Sequence, residues 1–140
     1  MLVGKVPIVA TIDKFEDLET WQLARELCIL VYPLTLVPPI SKDFRLKDQI
    51  RGSCSAIMDN IAEGFGRRTK NEFINSLTIA KGEAEELKSQ LYRAMDISYI
   101  SKEIFHELYN KTDLVVRKIG SFIKYFNSTC YGGQKFKGRN

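Results

Sequence analysis

One heptad run limits what this chain can fold into more than any other feature. Phe73, Leu77, Ala80, Ala84, Leu87, Leu91, Ala94 and Ser98 step by four and three residues in turn. This is a helical seam with a 3.5-residue repeat, apolar except at Ser98. A strand cannot hold that period, because its side chains alternate every second residue. Alanines in the middle of the seam let a neighbouring helix come close. Lys81 and Glu85 stand four apart on its wet face and can pair.

The same period recurs in three other segments. A first helix is expected from Asp17, a cap before Leu18, with Trp21, Ala24, Cys28 and Val31 as its seam. A second stripe, Leu23, Leu27, Leu30 and Leu34, gives that helix two apolar faces, and a helix packed on one core needs only one. Pro33 kinks or ends it near Tyr32, and Pro38-Pro39 closes the segment. A second helix runs from about Phe44 to Glu63, with Ser41 or Asp43 as cap, the seam Ile50, Cys54, Ile57 and Ile61, and Gly64 and Gly66 as its stop. The heptad run is the third helix. A fourth follows Ser101, with Phe105, Leu108, Thr112, Val115, Ile119, Phe122 and Phe126 inside. Short connections imply antiparallel neighbours. The expected fold is all-α: an up-and-down, left-handed four-helix bundle over residues 15–127, packed at roughly +20°. Residues 1–14 read as an extended or disordered leader, and 128–140 as a basic flexible tail with Gly132, Gly133 and Gly138.

The chain's 140 residues suit one such domain. Hydrophobic residues at 44% and charged residues at 27% are ordinary for a globular protein and exclude disorder and collagen. No apolar run approaches the roughly 18 residues of a membrane span. The three cysteines, Cys28, Cys54 and Cys130, are odd in number and far apart, which argues against a disulfide framework and a zinc site. The start lacks a secretory h-region, so a reducing cytoplasm is the expected compartment.

Three stretches carry a family resemblance: FEDLETWQLAREL at Phe15–Leu27, LKDQIRGSCSAIMDNIAEGFGR at Leu46–Arg67, and FINSLTIAKGEAEELKSQL at Phe73–Leu91. The most telling piece is NIAEG, Asn60 to Gly64. The chain resembles the four-helix-bundle proteins encoded in intervening sequences of bacterial 23S ribosomal RNA genes, over about Phe15 to Phe126. The resemblance implies an antiparallel bundle that assembles into a ring-like homopentamer, with no established enzymatic activity. A remote relative, the accessory protein of diversity-generating retroelements, is a basic pentamer that binds nucleic acid and a reverse transcriptase. The chain departs from the family at Met58, where a proline is common, at Glu83, where a serine is common, at Pro33, and in its longer leader.

Enzyme chemistry finds little support. Glu103 and His106 form one Glu-x-x-His, but His106 is the only histidine, and a di-iron bundle site needs that motif twice. They read as a solvent-facing pair. Neither G-x-x-x-x-G-K-[ST] nor G-x-G-x-x-G occurs. No metal, cofactor or catalytic residue is expected. Asn60 and Glu63 read as a polar core network that sets helix register, with Gln49 or Arg51 as partner, since an unpaired buried charge is costly.

The net charge is +4. Two basic groups could contact phosphate: Arg67, Arg68 and Lys70 in the connection after the second helix, and Lys135, Lys137 and Arg139 in the tail. Lys42, Arg45, Lys47 and Arg51 add charge near the start of the second helix, and Phe65 and Phe136 could stack on bases. In a pentamer five copies of +4 come to about +20. The chain therefore reads as a non-enzymatic homo-oligomer that binds RNA or DNA backbone, with Leu23, Leu27, Leu30 and Leu34 between subunits. The competing reading is a scaffold ring for a protein partner such as a polymerase, without nucleic-acid contact.

Overall fold

The computed structural model describes residues 12–128. Four α-helices account for most of them: α1 (Glu19–Val31), α2 (Phe44–Gly66), α3 (Lys70–Asp96) and α4 (Lys102–Asn127). Short 3-10 turns at Phe15–Asp17, Tyr32–Leu36 and Ile40–Lys42 lead into α1 and from α1 into α2. Among the described residues there is no strand. The leader before Ile12 and the tail after Ser128, with Cys130 and the basic tail residues, lie outside the described residues.

Cross-helix contacts give the topology. Gln49 of α2 meets Arg93 of α3, Ser53 meets Gln90, and Gly64 lies against Ser76. Rising numbers on one helix meet falling numbers on the other, so α2 and α3 are antiparallel. Lys88–Asp113 and Phe73–Phe126 give the same order for α3 and α4. Cys28–Cys54, with Thr35 of the following turn against Arg51, does so for α1 and α2, and Glu19–Lys118 closes α1 onto α4. The result is the expected up-and-down four-helix bundle.

Helix ends follow local chemistry, with three corrections. Asp43 caps α2 by accepting from the Leu46 amide at 3.1 Å, and Ser101 caps α4 by accepting from the Ile104 amide at 3.1 Å. Both satisfy a first-turn N–H that the helix itself cannot. Asp17 does not cap α1; it ends the 3-10 turn, and Leu18 holds the cap position with no side-chain bond. Gly64 and Gly66 do not stop α2 at Glu63, because the helix runs on through Gly66. Ser98 is not on the α3 seam; the helix ends at Asp96, and Ser98 has φ 64 in the turn beyond. Pro33 acts as expected: α1 ends at Val31, and the 3-10 turn starts at Tyr32.

The seams form the core. Phe73, Leu77, Ala80, Ala84, Leu87, Leu91 and Ala94 of α3 are all fully buried. Ile50, Cys54, Ile57 and Ile61 come in from α2, and Phe105, Leu108, Val115, Ile119 and Phe126 from α4. Each fully buried large side chain contributes roughly 1.5–3 kcal/mol. On α1 the buried set is Thr20, Ala24, Leu27 and Val31, while the expected seam residues Trp21 and Cys28 are only half-buried. Phe65, Phe122 and Phe126 pack edge-on around Phe73 at the α2–α3 end, with ring centroids 5.3–5.6 Å apart, and Phe122 lies tilted on Phe126 at 4.9 Å.

Candidate functional site

The basic connection after α2 is already occupied by its own bundle. Arg67 bonds Glu63 at 3.0 Å and faces Glu72 at 3.8 Å. Both carboxylates hold its guanidinium above the ordinary range, the Glu63 bond most. Arg68 takes φ 71, an unusual backbone for a side chain of this size. Its guanidinium lies over the Phe65 ring, 5.6 Å from the centroid. Lys70 is buried at the first turn of α3, beside the Thr69 cap. Three cations that read as one exposed phosphate-binding group are thus paired, folded onto an aromatic ring and buried.

Counting charge by position moves the basic excess off the bundle. All 17 acidic residues lie between 12 and 128, as do 17 of the 21 basic ones. The other four are Lys5, Lys135, Lys137 and Arg139. The described bundle is formally neutral, and the +4 belongs to the termini.

The expected polar network does not form. Glu63 is exposed and pairs with Arg67, and Asn60 donates to the Ala56 carbonyl of its own helix at 2.8 Å. Arg51 reaches the other way. Its Nε donates to Thr35 Oγ1 at 2.9 Å, and its guanidinium covers the Tyr32 ring at 4.6 Å, clamping the turn after α1 onto α2. Gln49 accepts from Arg93 of α3 at 2.9 Å. Glu85 pairs with Lys88 at 3.2 Å rather than with Lys81. The polar pair inside the bundle is Ser53 with Gln90, joined at 2.9 Å. Their signal was available: Ser53 is three after Ile50, and Gln90 is three after Leu87. Each stands on an apolar face, where helical spacing predicts burial.

A groove runs along the outside of the α2–α3 seam. It encloses about 470 Å³ and is open to solvent along one side. Gln49, Gly52, Ser53 and Ala56 line it from α2, and Glu83, Glu86, Ser89, Gln90 and Arg93 from α3. Burial first, then the neighbouring Glu86, pushes the Glu83 carboxyl above its ordinary value, and a hydrogen bond from Ser53 opposes them.

Surface apolar residues gather around the α1–α2 junction. Of the four leucines expected between subunits, Leu27 is 1% exposed and belongs to the bundle core. Leu23 and Leu34 are partly buried against that core, and only Leu30 is exposed. Six of the exposed large apolar residues, Ile29, Leu30, Tyr32, Leu36, Val37 and Phe44, lie at that junction, with Phe44 67% exposed, while Ile79 and Tyr92 are exposed on α3. Tyr99 donates to Asp43 at 3.1 Å, which brings the α3–α4 junction, with exposed Ile97 and Ile104, to the same end. Glu103 and His106 are both exposed on α4. Among the described residues no group of three His, Cys, Asp or Glu side chains could hold a metal ion, and no helix is long and apolar enough to cross a membrane.

The geometry and sequence can be set beside known proteins. Among curated proteins none matches the chain. A crystal structure of a protein of unknown function from the S23 ribosomal protein family of Bacteroides thetaiotaomicron superposes with a TM-score of 0.69 at 27% identity. The match covers 75% of this chain and 98% of that one. The family model of the 23S rRNA-intervening sequence protein matches residues 16–121. That span takes in all of α1, α2 and α3 and most of α4, and the chain belongs to the 23S rRNA-intervening sequence protein family.

Proposed function

We propose that this protein is a non-enzymatic scaffold whose bundle binds protein rather than nucleic-acid backbone. Its contact surface is the apolar end formed by Ile29, Tyr32, Leu36, Val37 and Phe44, and copies of the same chain are its first partners. The observation that carries this reading is the neutral bundle with apolar residues exposed at one end. Exposed apolar clusters mark interaction sites, and phosphate binding needs accessible cations, whereas in the α2–α3 connection Arg67 is paired with Glu63 and Glu72, Arg68 lies over Phe65 and Lys70 is buried. Lys47 over Phe44 and Arg51 over Tyr32 give the surface a polar rim, as protein interfaces have.

Light scattering at micromolar concentration tests the reading. The native chain is expected to be oligomeric, and Phe44→Glu with Leu36→Asp is expected to shift it toward monomer without unfolding it. A native monomer that also captures no protein partner would remove the proposal.

Nucleic-acid contact is a second reading, and one observation favours it. Lys135, Lys137 and Arg139 carry three of the four cations behind the +4. If those residues bind phosphate, changing all three to Ala abolishes RNA or DNA binding at low salt, and changing Arg67 and Lys70 leaves it nearly intact. Affinity would also fall steeply with salt.

A further inference from the structure

We propose that the α2–α3 groove is a binding site for a guanidinium group, held by Glu83, Glu86 and the side-chain carbonyl of Gln90. The inference does not depend on how the chain assembles.

Gln90 is the observation that points to a ligand. It is 5% exposed and lines the groove. Its Nε2 donates to Ser53 Oγ, but among the described residues its buried Oε1 has no hydrogen-bond partner. A buried acceptor left unmet costs roughly 1–3 kcal/mol, so the site favours a donor that reaches it. The Ser53 hydroxyl accepts from Gln90 and hydrogen-bonds Glu83. That links a hydroxyl of α2 to an amide and a carboxylate of α3 across the groove.

The rest of the lining selects the donor. Glu86 and Glu83 place two carboxylates on α3 about one and two turns before Gln90. Burial and mutual repulsion make the Glu83 charge unfavourable, and an entering cation relieves both. Arg93 is spoken for at the rim by Gln49. Gly52 leaves open space on the α2 side, where an added Cβ would meet nothing within 4 Å. Two carboxylates with an amide carbonyl offer several acceptors, and the Ser89 hydroxyl can accept as well. A planar guanidinium presents five N–H donors in a fixed fork and can bond two or more of them at once. An ammonium is a compact point charge and does not match that spread as well. The volume of about 470 Å³ takes a whole arginine-sized side chain with part of its backbone.

The group could come from a free small guanidinium compound or from an arginine side chain on another protein. Both are tested by NMR titration of the isotope-labelled full chain, with agmatine in one arm and a capped Gly-Arg-Gly peptide in the other. The expected result is saturable shifts at Ser53, Glu83 and the Gln90 side-chain amide. Tighter agmatine binding supports a free compound, and tighter peptide binding supports a protein source. Glu83→Gln with Glu86→Gln should weaken binding by about tenfold or more, while Glu103→Gln on α4 leaves it unchanged. Gln90→Leu is the second variant, with circular dichroism melting to show that each protein is folded. Tetramethylammonium carries charge without N–H donors and should not bind. No saturable shift in either arm, equal binding by the Glu83/Glu86 variant, or an equal response to tetramethylammonium would overturn the proposal.

Discussion

Gly64 of α2 packs directly against Ser76 of α3. A Cβ at Gly64 would overlap the Ser76 Cβ, lie 2.6 Å from its Oγ and 3.3 Å from the Phe73 ring. The glycine that ends the NIAEG stretch is therefore a contact surface for a neighbouring helix, inside α2, and not a helix stop. Gly64→Ala should destabilise the protein by about 1–3 kcal/mol, the usual cost of overpacking. Gly66→Ala, where an added Cβ meets nothing within 4 Å, should be neutral or stabilising by up to about 1 kcal/mol. Chemical denaturation of both variants decides this. Ser76→Gly should recover part of the Gly64→Ala loss, and the double-mutant cycle measures the coupling.

Leu27 and Leu30 separate core from surface on the same helix. Leu27 is 1% exposed and Leu30 37%. Leu27→Ala should cost about 2–5 kcal/mol in unfolding free energy, because it leaves a cavity. Leu30→Ala should change that energy by about 0.5 kcal/mol or less and show its effect in light scattering instead. Equal losses of stability would contradict this assignment.

Acid should weaken the α3–α4 contact through Asp113. A bond from Lys88 at 2.8 Å, then one from Arg117 at 2.9 Å, holds its carboxyl below the ordinary aspartate value of 3.8. A lowered folded-state value means stability present above the unfolded value and lost as pH falls through the folded one. The native melting temperature should exceed that of Asp113→Asn at neutral pH. The gap should close progressively below about pH 4, where the unfolded aspartate takes up its proton first. A gap that stays constant with pH would show that the difference is one of packing.

The two core thiols should react at different rates. Cys28 is half-buried and donates to the Cys54 carbonyl at 3.1 Å. The Cys54 thiol beside it holds Cys28 below the ordinary thiol range, outweighing burial and the nearby Asp59. The Cys28 contact and burial push Cys54 up. Because the thiolate is the nucleophile, iodoacetamide should label Cys28 several-fold faster than Cys54 in the native protein. Peptide mass mapping reads the ratio, and labelling after unfolding should equalise the two.

The order of apolar residues by itself determined the four helices, their antiparallel path, and most of the core. Heptad spacing places Phe73 through Ala94 on one line whatever surrounds them, and that line must be buried. Local chemistry was equally legible at Asp43, Ser101 and Pro33, because a cap or a proline acts within one turn. Charge position was countable too, but its meaning needed the boundary of the bundle. Only the tertiary structure decided which residues of α1's two apolar stripes face inward, and it took Ala24 and Val31 from one and Leu27 from the other. It also decided the partners of the polar residues. Arg51 turns to Thr35 and Tyr32, Glu63 to Arg67, and Ser53 to Gln90. A long polar side chain can reach several neighbours, and the spacing along its own helix does not say which helix stands opposite. Apolar burial sums over many contacts and survives that ambiguity, while a hydrogen bond depends on one atom at one distance.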